Sequence, residues 1–257
     1  MKAVILCGGK GTRLAEETKV IPKPLVGVGP YPILWHIMNI YSKFGIKEFI
    51  LCLGYKGDVI KDYFLNYYQL NNDFSIDLSS GDISYHKKGS LDWKIHLVDT
   101  GEDTLTGGRL LRLKDHLKED ESFCLTYGDG VANVNIENLI SAHKKNGKVA
   151  TVTGVRPAAR FGEMKINENS EVLEFAEKPQ SSSGWINGGF FVFNNEIFNY
   201  LKDDETILER APMEGLVRDN ELSFFEHTGF WQCMDTLRDK EYLDSLWSDG
   251  SVPWQNF

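Results

Sequence analysis

Ala3-Val-Ile-Leu-Cys7, followed at once by Gly8-Gly9-Lys10-Gly11-Thr12-Arg13, is the stretch on which the fold turns. Five apolar residues in a row read as a short strand buried on both faces, as in a parallel sheet covered by helices. The glycines behind it let backbone N–H groups approach an anion with no Cβ in the way. The same rhythm continues along the chain. Pro32 can open a helix, because its missing N–H has no partner there; Ile33, Ile37, Ile40 and Phe44 follow at helical spacing, and Gly45 suits the stop. The pattern predicts strands over Glu48–Leu53, Ile95–Val98, Phe123–Thr126 and Val149–Val155, with helices over Asp58–Tyr68, Gly108–Leu117 and Ile136–Lys145. Phe74 to Trp93 interrupts it with short alternating pieces that read as a hairpin.

Strands alternating with single helices require right-handed crossovers. Residues 1–155 are therefore expected to form an α/β unit: a doubly wound, mainly parallel mixed sheet flanked by helices. Residues 156–257 turn strand-rich, at Met164–Ile166, Glu171–Phe175, Trp185–Phe193 and Leu222–Phe225. No Pro/Gly/Ser linker separates the halves, so the second is expected as a strand-rich lobe sharing the sheet within one domain. The closing Leu246-Trp247 and Pro253-Trp254 read as an aromatic tail that packs on the body or on a partner subunit.

Composition narrows the function. Over 257 residues, 28 Lys and Arg stand against 37 Asp and Glu, a net charge of −9. No basic excess exists to follow a nucleic-acid backbone or an anionic membrane, so any phosphate must be met by a local cluster of cations, glycine amides or a metal ion. Cys7, Cys52, Cys124 and Cys233 lack the short paired spacing of a zinc or redox site, and the first three lie in apolar runs. Reduced thiols in a core point to the cytoplasm. Apolar runs fall short of the ~18 residues of a membrane span, and Met1–Cys7 is too short for a signal sequence.

The glycine loop is not a dinucleotide fingerprint, since Leu14 stands where the third glycine belongs, and it lacks the Gly-Lys-Ser/Thr of an ATPase loop. Its company is more telling. Arg13 ends the loop, and Pro22-Lys23-Pro24 holds a lysine between two prolines that stiffen the backbone. Asp129, between Gly128 and Gly130, follows the predicted strand Phe123–Thr126; its local pattern fits a metal-binding carboxylate or a plain β-turn. Asp235 follows the apolar Phe230-Trp-Gln-Cys-Met and fits either a buried carboxylate or a helix N-cap. His36, His86, His96, His116, His143 and His227 show no i, i+4 metal pair and read as surface or satisfied interior residues.

Gly8-Gly-x-Gly-Thr-Arg-Leu14 with Pro22-Lys-Pro-Leu25 resembles the signature of sugar-1-phosphate nucleotidylyltransferases. Asp99-Thr-Gly101, Leu105-Thr-Gly-Gly-Arg109, Thr126-Tyr-Gly-Asp-Gly-Val131, Glu177-Lys-Pro179, Ile186-Asn-Gly-Gly-Phe-Phe191 and Gly229 to Lys240 extend the resemblance over nearly the whole chain, and are similar to the family's cytidylyltransferase subgroup. The resemblance implies a reaction of CTP with glucose 1-phosphate, helped by Mg²⁺, in a homo-oligomer that supplies sugars for surface polysaccharide. It implies that Asp129 and Asp235 hold the metal and that Arg13 and Lys23 meet the nucleotide phosphates. Leu6, Cys7, Gly8, Gly9, Lys10, Gly11, Thr12, Gly128, Thr104 and Arg109 carry over to the nucleotide. Lys178, Glu177, Asn187, Gly188 and Gly162 carry over to the sugar phosphate. UTP or dTTP, another sugar 1-phosphate, or a non-catalytic nucleotide-sugar binder remain open alternatives.

Overall fold

The computed structural model describes residues 1–86, 91–157, 163–168, 171–176 and 184–255. The frame consists of β1 (Ala3–Leu6), β2 (Glu48–Leu53), β3 (Lys94–Asp99), β4 (Ser122–Tyr127), β5 (Gly130–Ala132), β6 (Ala150–Val155), β7 (Ile186–Asn194), β8 (Leu222–His227) and β9 (Trp231–Cys233). Seven of these make one sheet in the order β8-β6-β7-β4-β1-β2-β3, and β5 pairs with β9 as a separate antiparallel ribbon. Pairs β4–β1, β1–β2, β2–β3 and β6–β8 are parallel, whereas β7 runs antiparallel to both β4 and β6. The mixed, mainly parallel sheet expected from the sequence is present.

Strand β1 shows why its residues form an unbroken apolar run. Ala3, Ile5 and Cys7 face a core layer shared with Ile37, Tyr41, Phe49 and Leu139. Val4 and Leu6 face the opposite layer with Leu110, Phe123, Phe191 and Phe193. Both faces are covered, so alternation never appears in the sequence. Helix α1 (Ile33–Lys43) begins directly after Pro32, α2 (Gly57–Leu70) follows β2, and α3 (Thr106–Leu111) follows β3. Helix α4 (Ile136–Asn146) is capped by Asn135, whose side chain accepts from the Asn138 N–H at 2.8 Å, and stops at Gly147 in the left-handed region. Helix α5 (Leu237–Ser248) completes the frame.

Two expectations need adjustment. The predicted helix Gly108–Leu117 is two short helices, Thr106–Leu111 and Lys114–Leu117, because Leu113 between them has ψ near 1° and leaves helical geometry. Strands Glu163–Ile166 and Val172–Ala176 pair with each other in a small sheet of their own. Met164, Val172 and Leu173 stay exposed there, without the two-sided burial that would draw them into the main sheet. Only β7 and β8 of the predicted lobe enter it. The tail packs on the body: Trp254 is fully buried and donates its indole N–H to His36 Nδ1 at 3.2 Å, while Trp247 meets the same imidazole edge-on. The predicted hairpin is present as Asp73–Ile76 against Ile83–His86. Among the described residues, no helix is long and apolar enough to cross a membrane.

Candidate active site

Parallel strands β1 and β4 end side by side, with Leu6 opposite Tyr127. Ligands of open α/β sheets collect beyond such carboxyl ends, and a cavity of about 350 Å³ opens there. Leu6, Cys7, Gly8, Gly9, Gly11, Thr12, Arg13, Lys23, Thr104, Arg109, Gly128, Asp129 and Asp235 all line it. Lys10 is drawn instead to Asp103 in open solvent, at 3.0 Å. Gly162, Glu177 and Lys178 lie outside the described residues.

The charged centre is built by two short pieces of chain. Lys23 opens a single 3-10 turn after Pro22, whose backbone (φ −67°, ψ 146°) is already extended for the entry. Strands β5 and β9 pair Gly130 with Cys233, and the Met234 N–H donates to the Asp129 carbonyl at 2.8 Å. That ribbon carries both aspartates to one point. Lys23 Nζ donates to Asp129 Oδ2 at 2.6 Å and to Asp235 Oδ1 at 2.6 Å, and Arg13 donates to Asp235 Oδ2 at 2.7 Å. The two readings of Asp235 are separated here. Thr236 caps α5 in a reciprocal capping box with Asp239, so the Asp235 carboxylate is left to the cations. Asp129 does sit in a turn between β4 and β5, and its carboxylate still points at Lys23.

The electrostatics follow from this crowding. Burial alone would pull the Lys23 ammonium down, but the Asp129 and Asp235 carboxylates outweigh it and hold its pKa above the ordinary lysine value. Burial likewise pushes Asp235 up, and the Lys23 hydrogen bond, with Lys23 and Arg13 charge, brings it below the usual carboxylate range. Burial raises the Cys52 and Cys124 thiols to about 12 and pushes Cys7 up as well, so none supplies a thiolate near neutral pH.

Arg109 has a framing role that its sequence position hides. Its guanidinium is buried and donates to the carbonyls of Gly8, Leu53, Gly101 and Glu102 and to the Thr100 hydroxyl, at 2.7 to 3.0 Å. It thereby ties the glycine loop to the ends of β2 and β3. A Cβ on Gly8 would lie 2.2 Å from that guanidinium, and one on Gly128 would lie 2.9 Å from the Leu6 carbonyl. The start of α3 is not open to an anion: the Leu105 N–H is bonded to the Asp204 carbonyl, and those of Gly107 and Gly108 to the Thr206 carbonyl.

Asn187 and Gly188, near the start of β7, do not line the cavity, but Asn187 Nδ2 lies 3.2 Å from the hydroxyl of Tyr127, which does. Tyr127, Pro24, Leu105 and Thr106 also line the cavity; each lies inside a motif quoted above, but none carries a role there. The signal for Tyr127 is its place between the predicted strand Phe123–Thr126 and the Gly128-Asp129 turn; for Thr106 it is membership of the Leu105-Thr-Gly-Gly-Arg109 motif alone.

The nucleotidyl transferase family model matches residues 2–232. Glucose-1-phosphate cytidylyltransferases of Salmonella typhi and Salmonella typhimurium are each 50% identical over 257 residues, covering 100% of both chains. Among solved structures, HddC from Yersinia pseudotuberculosis superposes with a TM-score of 0.69 at 22% identity, covering 96% of this chain and 99% of that one; the likeness is one of fold.

Proposed function

The chain belongs to the nucleotidyl transferase family, and from that premise we propose that it transfers the cytidylyl group of CTP to α-D-glucose 1-phosphate, giving CDP-glucose and pyrophosphate. The observation that carries the reading is the convergence of Arg13, Lys23, Asp129 and Asp235 at the carboxyl edge of the sheet, beside a glycine loop. Such a cluster suits polyphosphate.

A phosphate oxygen of the sugar phosphate attacks the α-phosphorus in line, and pyrophosphate leaves from the far side. The attacking monoester is largely ionised near neutral pH, its second pKa being about 6, so no general base is required. The barrier is repulsion between anions and charge growing on the leaving group. Arg13 and Lys23 neutralise that charge, and the backbone amides around Gly8 and Gly9 hold the nucleotide in line. Lys178 and Glu177, with Asn187 and Gly188, take the sugar phosphate.

The donor set fits Mg²⁺. Two carboxylates already meet around one cation, the Lys23 ammonium, and Mg²⁺ favours one or two carboxylates with substrate phosphates completing its shell. Asp129 and Asp235 would hold it, and it would supply Lewis-acid neutralisation of the phosphates. A larger all-protein cage is absent among the described residues, since no three His, Cys, Asp or Glu side chains cluster as ligands. The reading extends to a cytoplasmic homo-oligomer. Buried free thiols support the compartment, and exposed Leu65, Leu70, Phe74, Ile76 and Leu78 along α2 and the hairpin support self-association.

The test is pyrophosphate release with Mg²⁺ and glucose 1-phosphate, offering CTP, UTP, dTTP, ATP and GTP separately. Release confined to CTP is expected. Preference for UTP or dTTP would overturn the base assignment, and silence with all five would overturn the reaction.

A further inference from the structure

A second polar chain runs along the wall of the cavity away from the charged centre. Tyr127 ends β4 two residues before Asp129, and its hydroxyl lies 2.5 Å from Glu209 Oε1 and 3.2 Å from Asn187 Nδ2. The other oxygen of Glu209 accepts from the Thr106 hydroxyl at 2.7 Å. The single phenolic proton of Tyr127 is donated to Glu209. The phenol oxygen is then free to accept, and it receives an amide hydrogen of Asn187. The Asn187 carbonyl oxygen in turn accepts from the Gly189 N–H at 2.8 Å. Both ends of the Asn187 amide are thereby assigned, and its rotamer is fixed. Gly189 is part of the device: it sits at φ +78°, and a Cβ there would lie 2.6 Å from the Tyr127 ring.

We infer that Glu209 is a positioning residue for the sugar phosphate, acting through the Tyr127 hydroxyl to hold Asn187 and the start of β7 in one orientation beside the cavity. The inference rests on the reading of Asn187 and Gly188 as the sugar-contacting segment. Glu209 lies outside every motif of the site, in the turn before the helix Ala211–Arg218, and itself stays exposed. The nucleotide side does not depend on it. The start of α3 keeps its bonds to the Asp204 and Thr206 carbonyls, and Thr106 keeps the Leu208 N–H, whatever residue stands at 209.

Steady-state kinetics of the full chain with CTP and glucose 1-phosphate test this, using E209A, Y127F, the double variant and E209Q. Loss of a hydrogen bond that preorganises a ligand group is expected to raise the KM for glucose 1-phosphate about tenfold in E209A and in Y127F. The KM for CTP should stay within about twofold, because α3 is held independently. The double variant should be no worse than either single one, since both cut the same chain. Glutamine keeps an acceptor for the Tyr127 proton, so E209Q should return the sugar-phosphate KM to near its starting value. E209A matching the wild type, an equal rise in the CTP KM, additive single effects, or E209Q as poor as E209A would each overturn the inference; the last would mean that the charge meets the sugar directly. Failure of the proposed reaction is a separate result, seen as an inactive wild type before any variant is compared.

Discussion

Asp129, just before β5, and Asp235, two residues past β9, both accept hydrogen bonds from the Lys23 ammonium, each at 2.6 Å. The lysine side chain is 12% exposed, so the three charges interact with little solvent between them. Removing the ammonium leaves two carboxylates facing each other. Lys23→Ala should destabilise the nucleotide-free protein by about 1–3 kcal/mol. Mg²⁺ added without nucleotide should then raise the melting temperature of the variant more than that of the wild type, where the cation must compete with Lys23. A calorimetric scan with and without Mg²⁺ checks it, and equal shifts in both proteins would refute the shared-site reading.

Asp129→Asn and Asp235→Asn address turnover. Each removes one anion and keeps the shape of the side chain, and Thr236, not Asp235, caps the helix that follows. The fold should persist while turnover falls by about a hundredfold or more. Circular dichroism alongside pyrophosphate release separates the two effects. Turnover near the wild-type value in either variant would remove that residue from the metal assignment.

The paired glycines give opposite expectations. At Gly8 a Cβ would meet the Arg109 guanidinium at 2.2 Å, and that group is pinned by carbonyls on several sides, so Gly8→Ala should lower stability by about 1–3 kcal/mol. At Gly9 a Cβ meets nothing within 4 Å. Gly9→Ala should leave the melting temperature unchanged and raise the KM for CTP, because the open side of that residue is the cavity. A Gly9→Ala protein with normal CTP kinetics would show that the nucleotide passes elsewhere.

Much of this frame was legible in the sequence, for physical reasons that can be named. Strand β1 reads correctly because burial on both faces leaves no polar interruption, and the helix expected over Ile136–Lys145 is present as α4. The glycine loop is legible as part of the candidate site, and Gly8, Gly9 and Gly11 do line the cavity. The meeting of Asp129 with Asp235 is not legible, since the ribbon that joins them has three residues a side and no periodicity. Arg109 is legible as belonging to the site, but its work on the carbonyls of Gly8 and Gly101 is not. Glu209 carries no local signal; only the packing of the loop before Ala211 against α3 and β4 brings it to Tyr127.

Three histidines make the stability depend on pH. Burial depresses the pKa of His36, His143 and His227, in each case against the pull of a hydrogen-bond partner: the Val28 carbonyl, Asn194 and the Phe230 carbonyl respectively. In the unfolded chain an imidazole takes a proton as pH falls through about 6.5, whereas these three stay neutral in the fold until lower pH. The unfolded state therefore binds more protons in that window. Stability should be level above pH 7 and fall as pH drops from 6.5 towards 5. His143 bonds Thr151 and Asn194 through its two ring nitrogens, at 2.9 and 2.8 Å. His143→Gln should reduce the steepness of the acid loss, measured as melting temperature against pH; an unchanged slope would exclude His143 as a contributor.

The tail offers the sharpest test of packing. Trp254 is buried completely, stacks on Phe230 with ring centres 5.5 Å apart, and donates its indole N–H to His36 Nδ1. His36 is thereby set as the tautomer with its proton on Nε2, which donates to the Val28 carbonyl at 2.9 Å. Trp254→Phe keeps most of the packing and loses the hydrogen bond, so it should cost about 1 kcal/mol. Trp254→Ala empties a core position and should cost about 3–5 kcal/mol. Urea unfolding of both variants measures the difference. A small loss in Trp254→Ala would mean that the tail is an ornament of the surface, against its complete burial; a large one would make the last turns of the chain part of the same core that supports α1 and, through β1, the glycine loop.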